Sequence, residues 1–147
     1  MTNHTDKLHG YYFEDLEVGM HEVFAKTITE ADIVIFAGIS GDTNPVHLNE
    51  EFASGTMFKG TIAHGMLTSA FISTVIGTKL PGPGCIYVSQ SLKFKAPVKA
   101  GETVQAHCTI TELNPEKKFV TLKTQCIVAG KVVVDGEALI MAPSRTA

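Results

Sequence analysis

Hydrophobic and polar positions change their spacing several times along this chain, and each change marks an element. Glu22 to Ile28 carries branched and aromatic residues and predicts a strand. Thr29-Glu30-Ala31-Asp32 reads as a helix start, with Thr29 as cap and Asp32 placed to complete a capping box. Ile33, Phe36 and Ala37 then form an apolar face, widened by Val34 and Ile35. A second short helix is predicted from Asn49 to Ala53 with Asn49 as its cap, and residues 54–63 read as loop. From Met66 to Ile76 the side chains are mostly apolar, with Thr68, Ser69, Ser73 and Thr74 the polar exceptions, which predicts a buried helix. Small hydroxyls there bond back to the helix backbone, giving Ser73 a structural reading.

After Leu80-Pro81-Gly82-Pro83-Gly84 breaks that helix, the rest of the chain predicts strands: Ile86 to Phe94, Glu102 to Leu113, Phe119 to Ala129 and Lys131 to Met141. Turn residues stand at Ala96–Glu102, at Asn114-Pro115-Glu116-Lys117 and at Gly130. One buried helix followed by a run of strands argues an α+β domain, with an antiparallel sheet packed on that helix. Tyr11 to Met20 reads as an extended arm turning near Gly19. Residues 1–10 read as a disordered tail in which His4 and His9 are solvated, leaving 11–147 as one domain.

Composition narrows the function classes. The chain has 147 residues, enough to bury a core, with 44% hydrophobic and 18% charged residues. A net charge of −3 without a Lys/Arg cluster argues against nucleic acid as a partner. No apolar run reaches the roughly 18 residues of a membrane span. The polar N-terminus lacks the apolar core of a signal peptide, so the cytoplasm is the expected compartment. Three cysteines, Cys85, Cys108 and Cys126, show no CxxC spacing; buried free thiols are expected rather than disulfides or a zinc ribbon.

The chemistry concentrates in Ser40-Gly41-Asp42-Thr43-Asn44-Pro45-Val46-His47. Gly41 accepts backbone angles other residues avoid, and Pro45 fixes its own φ and pushes Asn44 toward extended geometry. A stiff irregular loop is expected, without a helix running through it, holding Asp42 and His47 in fixed relation. One carboxylate and one imidazole on a shared water suit acid–base chemistry. The same residue types also build ordinary turns, and Asn44 is assigned to locking that turn. A metal held by Asp42, His47 and His64 has no recognised ligand spacing behind it, so no metal is expected.

Three ordered motifs extend this picture. Gly41-Asp42-x-Asn44-Pro45-x-His47 is followed by His64-Gly65-Met66-Leu67, seventeen residues after His47, and by Tyr87-x-x-Gln90-x-Leu92-x-Phe94-x-x-Pro97-Val98. Together they resemble the MaoC-like family over about residues 12 to 142, and within it the (R)-specific enoyl-CoA hydratases that feed polyhydroxyalkanoate synthesis. The resemblance implies a hot-dog fold, a sheet wrapped around the long helix starting near Gly65, with residues from about 29 to 63 as an overhang above a substrate tunnel. It implies reversible hydration of trans-2-enoyl-CoA by Asp42 and His47 acting on one water. His47 is assigned as base and Asp42 as proton donor, or the two act as one coupled unit.

The backbone N–H of Gly65, at a helix N-terminus, is the natural donor to the thioester oxygen. His64 is read as structural, bonding the loop. By the same resemblance Ser73 and Ile76 line the acyl end of the tunnel, and Gln90, Lys93 and Lys95 lie near the coenzyme A. Coenzyme A enters as part of the substrate, no separate cofactor is implied, and a homodimer is expected. Other readings stay open: another MaoC-type acyl-CoA dehydratase, a hot-dog thioesterase, which lacks the Gly-Asp-x-Asn-Pro-x-His loop, or a non-catalytic acyl-binding module, which needs no Asp/His pair.

Overall fold

The computed structural model describes residues 7–146. Its centre is one antiparallel sheet of five strands: β1 (His21–Thr27), β2 (Ile86–Phe94), β3 (Thr103–Asn114), β4 (Phe119–Val128) and β5 (Lys131–Met141). Their order is β1-β3-β4-β5-β2, which leaves β1 and β2 as edges. Strict alternation along β3 and β4 turns Val104, Ala106, Cys108 and Ile110, then Val120, Leu122, Thr124 and Cys126, to the inner face. Irregular register at Tyr87/Ser89, Ile110/Glu112 and Cys126/Ile127 marks bulges, which bend strands and increase their twist.

Before β2 the chain forms α1 (Glu30–Ser40), α2 (Pro45–Leu48), α3 (Glu50–Ser54) and α4 (Gly65–Thr78). The long helix α4 packs on β3, β1 and β4, with Phe71 edge-on to Phe24 at 5.7 Å between ring centroids. Leu67, Phe71, Ile72, Val75 and Ile76 repeat at helical spacing and fill the core with the inner face of the sheet. This is the sheet-on-central-helix arrangement of the hot-dog fold.

Most predicted elements stand within a residue or two of their expected ends. The capping box at α1 is present in both directions: Asp32 N–H donates to Thr29 Oγ1 at 3.1 Å and Thr29 N–H to Asp32 Oδ2 at 2.9 Å. Asn49 caps α3 by accepting from Phe52 N–H at 3.0 Å. Cys108 and Cys126 are buried free thiols, pushed up to about 12 by burial above all, while Cys85 is half-buried.

Three expectations need correction. Val34 and Ile35 do not widen a buried face: they are 60% and 58% exposed, since only one side of α1 meets the body of the fold. The helix α4 is not buried all round either; Met66, Ala70, Ser73 and Gly77 are exposed, because the sheet covers one side of it. The tail reading stops short of residue 9. His9 stacks on Tyr12 at 4.3 Å, and Gly10 N–H donates to Pro83 C=O at 2.9 Å. His4 lies outside the described residues. Among the described residues no helix is long and apolar enough to cross a membrane.

Candidate active site

The 40–47 stretch is built from side chains that take over backbone bonds at helix ends. Gly41 closes α1 in the left-handed conformation, φ 78°, and its N–H donates to Ala37 C=O at 2.9 Å. Ser40 Oγ donates to Phe36 C=O at 2.7 Å and accepts from Asp42 N–H at 3.1 Å. Asp42 Oδ1 accepts from Asn44 N–H at 3.3 Å, and Asn44 Oδ1 accepts from Val46 N–H at 3.1 Å. Asn44 is therefore the N-cap of α2 and Pro45 its first residue.

Here the expectation of a helix-free loop fails for its second half, and His47 sits on a one-turn helix. Proline does block a helix interior, but at the first helical position its missing N–H costs nothing and its φ is already right.

Two backbone carbonyls fix the imidazoles. A carbonyl only accepts, so His47 Nδ1 must donate to Ile62 C=O, 2.8 Å away. In the neutral ring this leaves Nε2 as the nitrogen with a lone pair. By the same reasoning His64 Nε2 donates to Asp42 C=O at 2.9 Å. His64, only 2% exposed, precedes α4 as its N-cap residue and so ties the Asp42 backbone to the start of the buried helix. Its ring stacks on His47 at 3.8 Å between centroids and meets Phe36 at 4.8 Å on a tilted contact. Thr61 donors hold the outer loop as well: Glu50 accepts from Thr61 N–H at 3.1 Å and Oγ1 at 3.0 Å. These bonds, the backbone one first, hold its carboxyl below the usual carboxylate range.

Asp42, His47 and His64 thus converge, with one ligand-type atom from each lying within 4.8 Å of the others. Stacking at an interplanar angle of 24° points the imidazole lone pairs into nearly parallel planes.

Gly65 opens α4 directly after His64. A Cβ there would fall 2.6 Å from the exposed Phe94 ring, which would have to turn aside to admit it. Beside it lies a cavity of about 450 Å³, lined by Phe58, Ile62, Gly65, Thr68, Phe94 and Lys95 among others. Thr68, which lines this cavity, and His64, four positions before it, each keep one buried polar atom without a hydrogen-bond partner, Thr68 Oγ1 and His64 Nδ1. Thr68 was visible in the sequence only as one hydroxyl among four in an apolar helix. The signal that would have raised it is its i+4 spacing from His64, and the backbone supports of His47 and His64 carry no side-chain signal.

The remaining expected site residues separate. Ser73 is exposed and Ile76 is fully buried in the core, and neither lines this cavity. A helical step of three residues puts them on adjoining rows, but the sheet covers only one of the two. Gln90 is already engaged: its Nε2 donates to Thr124 Oγ1 and Ser91 C=O, each at 2.8 Å, and its Oε1 accepts from the Tyr87 hydroxyl. It is thus a sheet-bracing residue. Lys93 is exposed; Lys95 lines the cavity and pairs with Asp135 at 3.7 Å.

Comparison with known proteins places this arrangement. The profile of the MaoC like domain matches residues 17–134. An (R)-specific enoyl-CoA hydratase of Rhodospirillum rubrum is 61% identical over 140 residues, spanning 95% of this chain and 97% of that protein. Among solved structures, the unliganded R-hydratase PhaJ1 from Pseudomonas aeruginosa superposes with a TM-score of 0.87 at 47% identity, covering 92% of this chain and 88% of that one. The (R)-hydratase from A. caviae involved in PHA biosynthesis gives 0.86 at 40% identity, covering 88% and 99%.

Proposed function

The chain belongs to the family of MaoC-like domains, and from that premise we propose that it hydrates trans-2-enoyl-CoA to (R)-3-hydroxyacyl-CoA, reversibly, by activating one water between Asp42 and His47. The observation that carries the reading is the anchored tautomer of His47. With Nδ1–H spent on the Ile62 carbonyl, Nε2 is the basic nitrogen. Water gives its proton to Nε2 as its oxygen bonds to Cβ of the enoyl thioester. The Asp42 side supplies the proton that Cα takes up and is reprotonated from His47 once the product leaves, so the two groups act as one unit on a single water. Charge that gathers on the thioester oxygen meets the Gly65 N–H at the start of α4. Proton transfer by two protein groups and a water needs no separate cofactor.

The cavity beside Gly65 supports an acyl-thioester substrate, since it is mostly apolar-lined and carries few polar groups. Lys95 at its wall, with Lys93 nearby, supplies positive charge for the phosphates of coenzyme A. A role in chain-length choice for Ser73 requires a second copy to cover the exposed side of α4, whereas Ile76 faces the core. A homodimer is part of this reading. The edge strand β2 exposes Ile86 and Val88 by 54% and 47%, apolar side chains beside backbone that is unpaired on one side. One core cluster running from Phe13 to Ala142 supports a single domain over 11–147. The A. caviae neighbour motivates a place in polyhydroxyalkanoate supply, and with it the cytoplasm as compartment. Loss of crotonyl-CoA absorbance without release of free thiol tests the reaction: thiol release would make the protein a thioesterase, and no change at all a binder.

A further inference from the structure

A second histidine cluster lies on the opposite face of the sheet. His21 of β1 pairs with Thr109 of β3, and Val23 pairs with His107, so the two histidines are diagonal neighbours on one face. This face is turned away from α4, whose Phe71 meets Phe24 on the other side of β1. His21 Nε2 and His107 Nδ1 are 3.1 Å apart, with the rings tilted by 44°. The outer nitrogens are occupied as well: His21 Nδ1 lies 2.6 Å from Thr109 Oγ1, and His107 Nε2 lies 3.1 Å from Gln105 Oε1.

The amide oxygen of Gln105 only accepts, so the His107 proton sits on Nε2 and its Nδ1 carries a lone pair. Nδ1 then accepts from His21 Nε2–H, and His21 Nδ1 accepts from the Thr109 hydroxyl. Moving the His21 proton from Nε2 to Nδ1, where it would donate to Thr109 Oγ1, leaves two lone pairs facing each other across 3.1 Å. No proton is lost in that exchange.

We propose that His21 and His107 form a binding site for a divalent late transition-metal ion of the zinc, nickel or copper class. For metal–nitrogen bonds of about 2.0–2.1 Å, a 3.1 Å separation corresponds to an N–metal–N angle of about 100°, between the octahedral and tetrahedral values. Imidazole is the ligand this class of ion prefers. Each ligating ring keeps an oxygen partner on its other nitrogen, Thr109 Oγ1 for one and Gln105 Oε1 for the other, and such partners fix ring orientation and raise ligand basicity. Solvent reaches His21, which is exposed, and supplies the remaining ligands. The bound ion would join the edge strand β1 to β3. The His47 and His64 rings are stacked, at 24°, whereas those of His21 and His107 are tilted by 44°.

The test is titration of the full-length protein with nickel chloride, followed by calorimetry and by NMR of the imidazole resonances. Wild type should bind one nickel ion per chain at this site. His21→Gln and His107→Gln should each weaken that binding at least tenfold, and His47→Gln should leave it unchanged. In wild type the paramagnetic ion should broaden the His21 and His107 rings first, a readout independent of how any variant folds. Nickel affinity within twofold of wild type in both glutamine variants, or broadening that falls first on His47 and His64, would overturn the proposal.

Discussion

Gly65 carries two constraints at one position: it presents the first amide of α4, and it leaves no room for a side chain under the Phe94 ring. Phe94 is more than half exposed, so an added methyl group can be accommodated by swinging the ring, and it would swing over the helix N-terminus. Gly65→Ala should therefore melt within a few degrees of wild type while losing at least about tenfold in kcat/KM on crotonyl-CoA, short of the 10²–10³ range for deleting an oxyanion donor outright. Unchanged turnover in that variant would remove Gly65 from the reacting centre. Asp42 and His47 were legible in the sequence as a carboxylate and an imidazole five positions apart, in a backbone pinned by Gly41 and Pro45. The tautomer of His47 was not, because it depends on the carbonyl of Ile62, which any residue type would offer.

At the scale of elements, α1 shows how far local chemistry reaches. Its capping box was readable from Thr29 and Asp32 alone, and the structure adds Lys26 on the same carboxylate. The Lys26 hydrogen bond, then the Thr29 backbone N–H, hold the Asp32 carboxyl below its usual range. A depressed folded-state value means that Asp32 stabilises the fold above the unfolded value near pH 4, and that this stabilisation is lost as pH falls through the folded value. The melting temperature of wild type should exceed that of Asp32→Asn at pH 7, and the gap should close as pH falls below about 4. A gap that persists unchanged at the acid end would show that the cap, not the charge, carries the effect. The one-turn helix α2 is not legible from Pro45, because proline blocks helix interiors but fits the first helical position. For Ser73 and Ile76 the helical spacing was legible, but which row of α4 meets the sheet is decided by packing between distant segments.

The molecule as a whole leaves β2 as an edge strand with exposed apolar side chains, and α4 with an exposed side. Two copies meeting along β2 would cover those side chains, as a sheet edge of this kind requires. At micromolar concentration the solution mass should be twice 15.8 kDa, and Val88→Glu on this edge should shift it toward the single-chain value. A wild-type mass of one chain would remove the dimer from the account. The overall fold was legible because one apolar helix followed by four alternating strands leaves few ways to bury both. The strand order and the overlap of α1–α3 with the start of α4 were not, since they rest on contacts between segments far apart in the chain.

The central claim is that Asp42 and His47 act on one water as a unit, and the kcat of Asp42→Asn, His47→Gln and the double variant on crotonyl-CoA tests it most directly, with melting temperatures recorded alongside. Asparagine keeps the shape of Asp42 and its bond to the Asn44 N–H but removes the ionisable oxygen. Glutamine keeps a polar group at 47 but cannot shuttle a proton. Each single change should lower kcat by about two to four orders of magnitude. The double variant should be little worse than either single, because groups serving one step are not additive. Near-normal kcat in well-folded single variants would contradict the account, leaving 40–47 as a turn that holds the overhang in place.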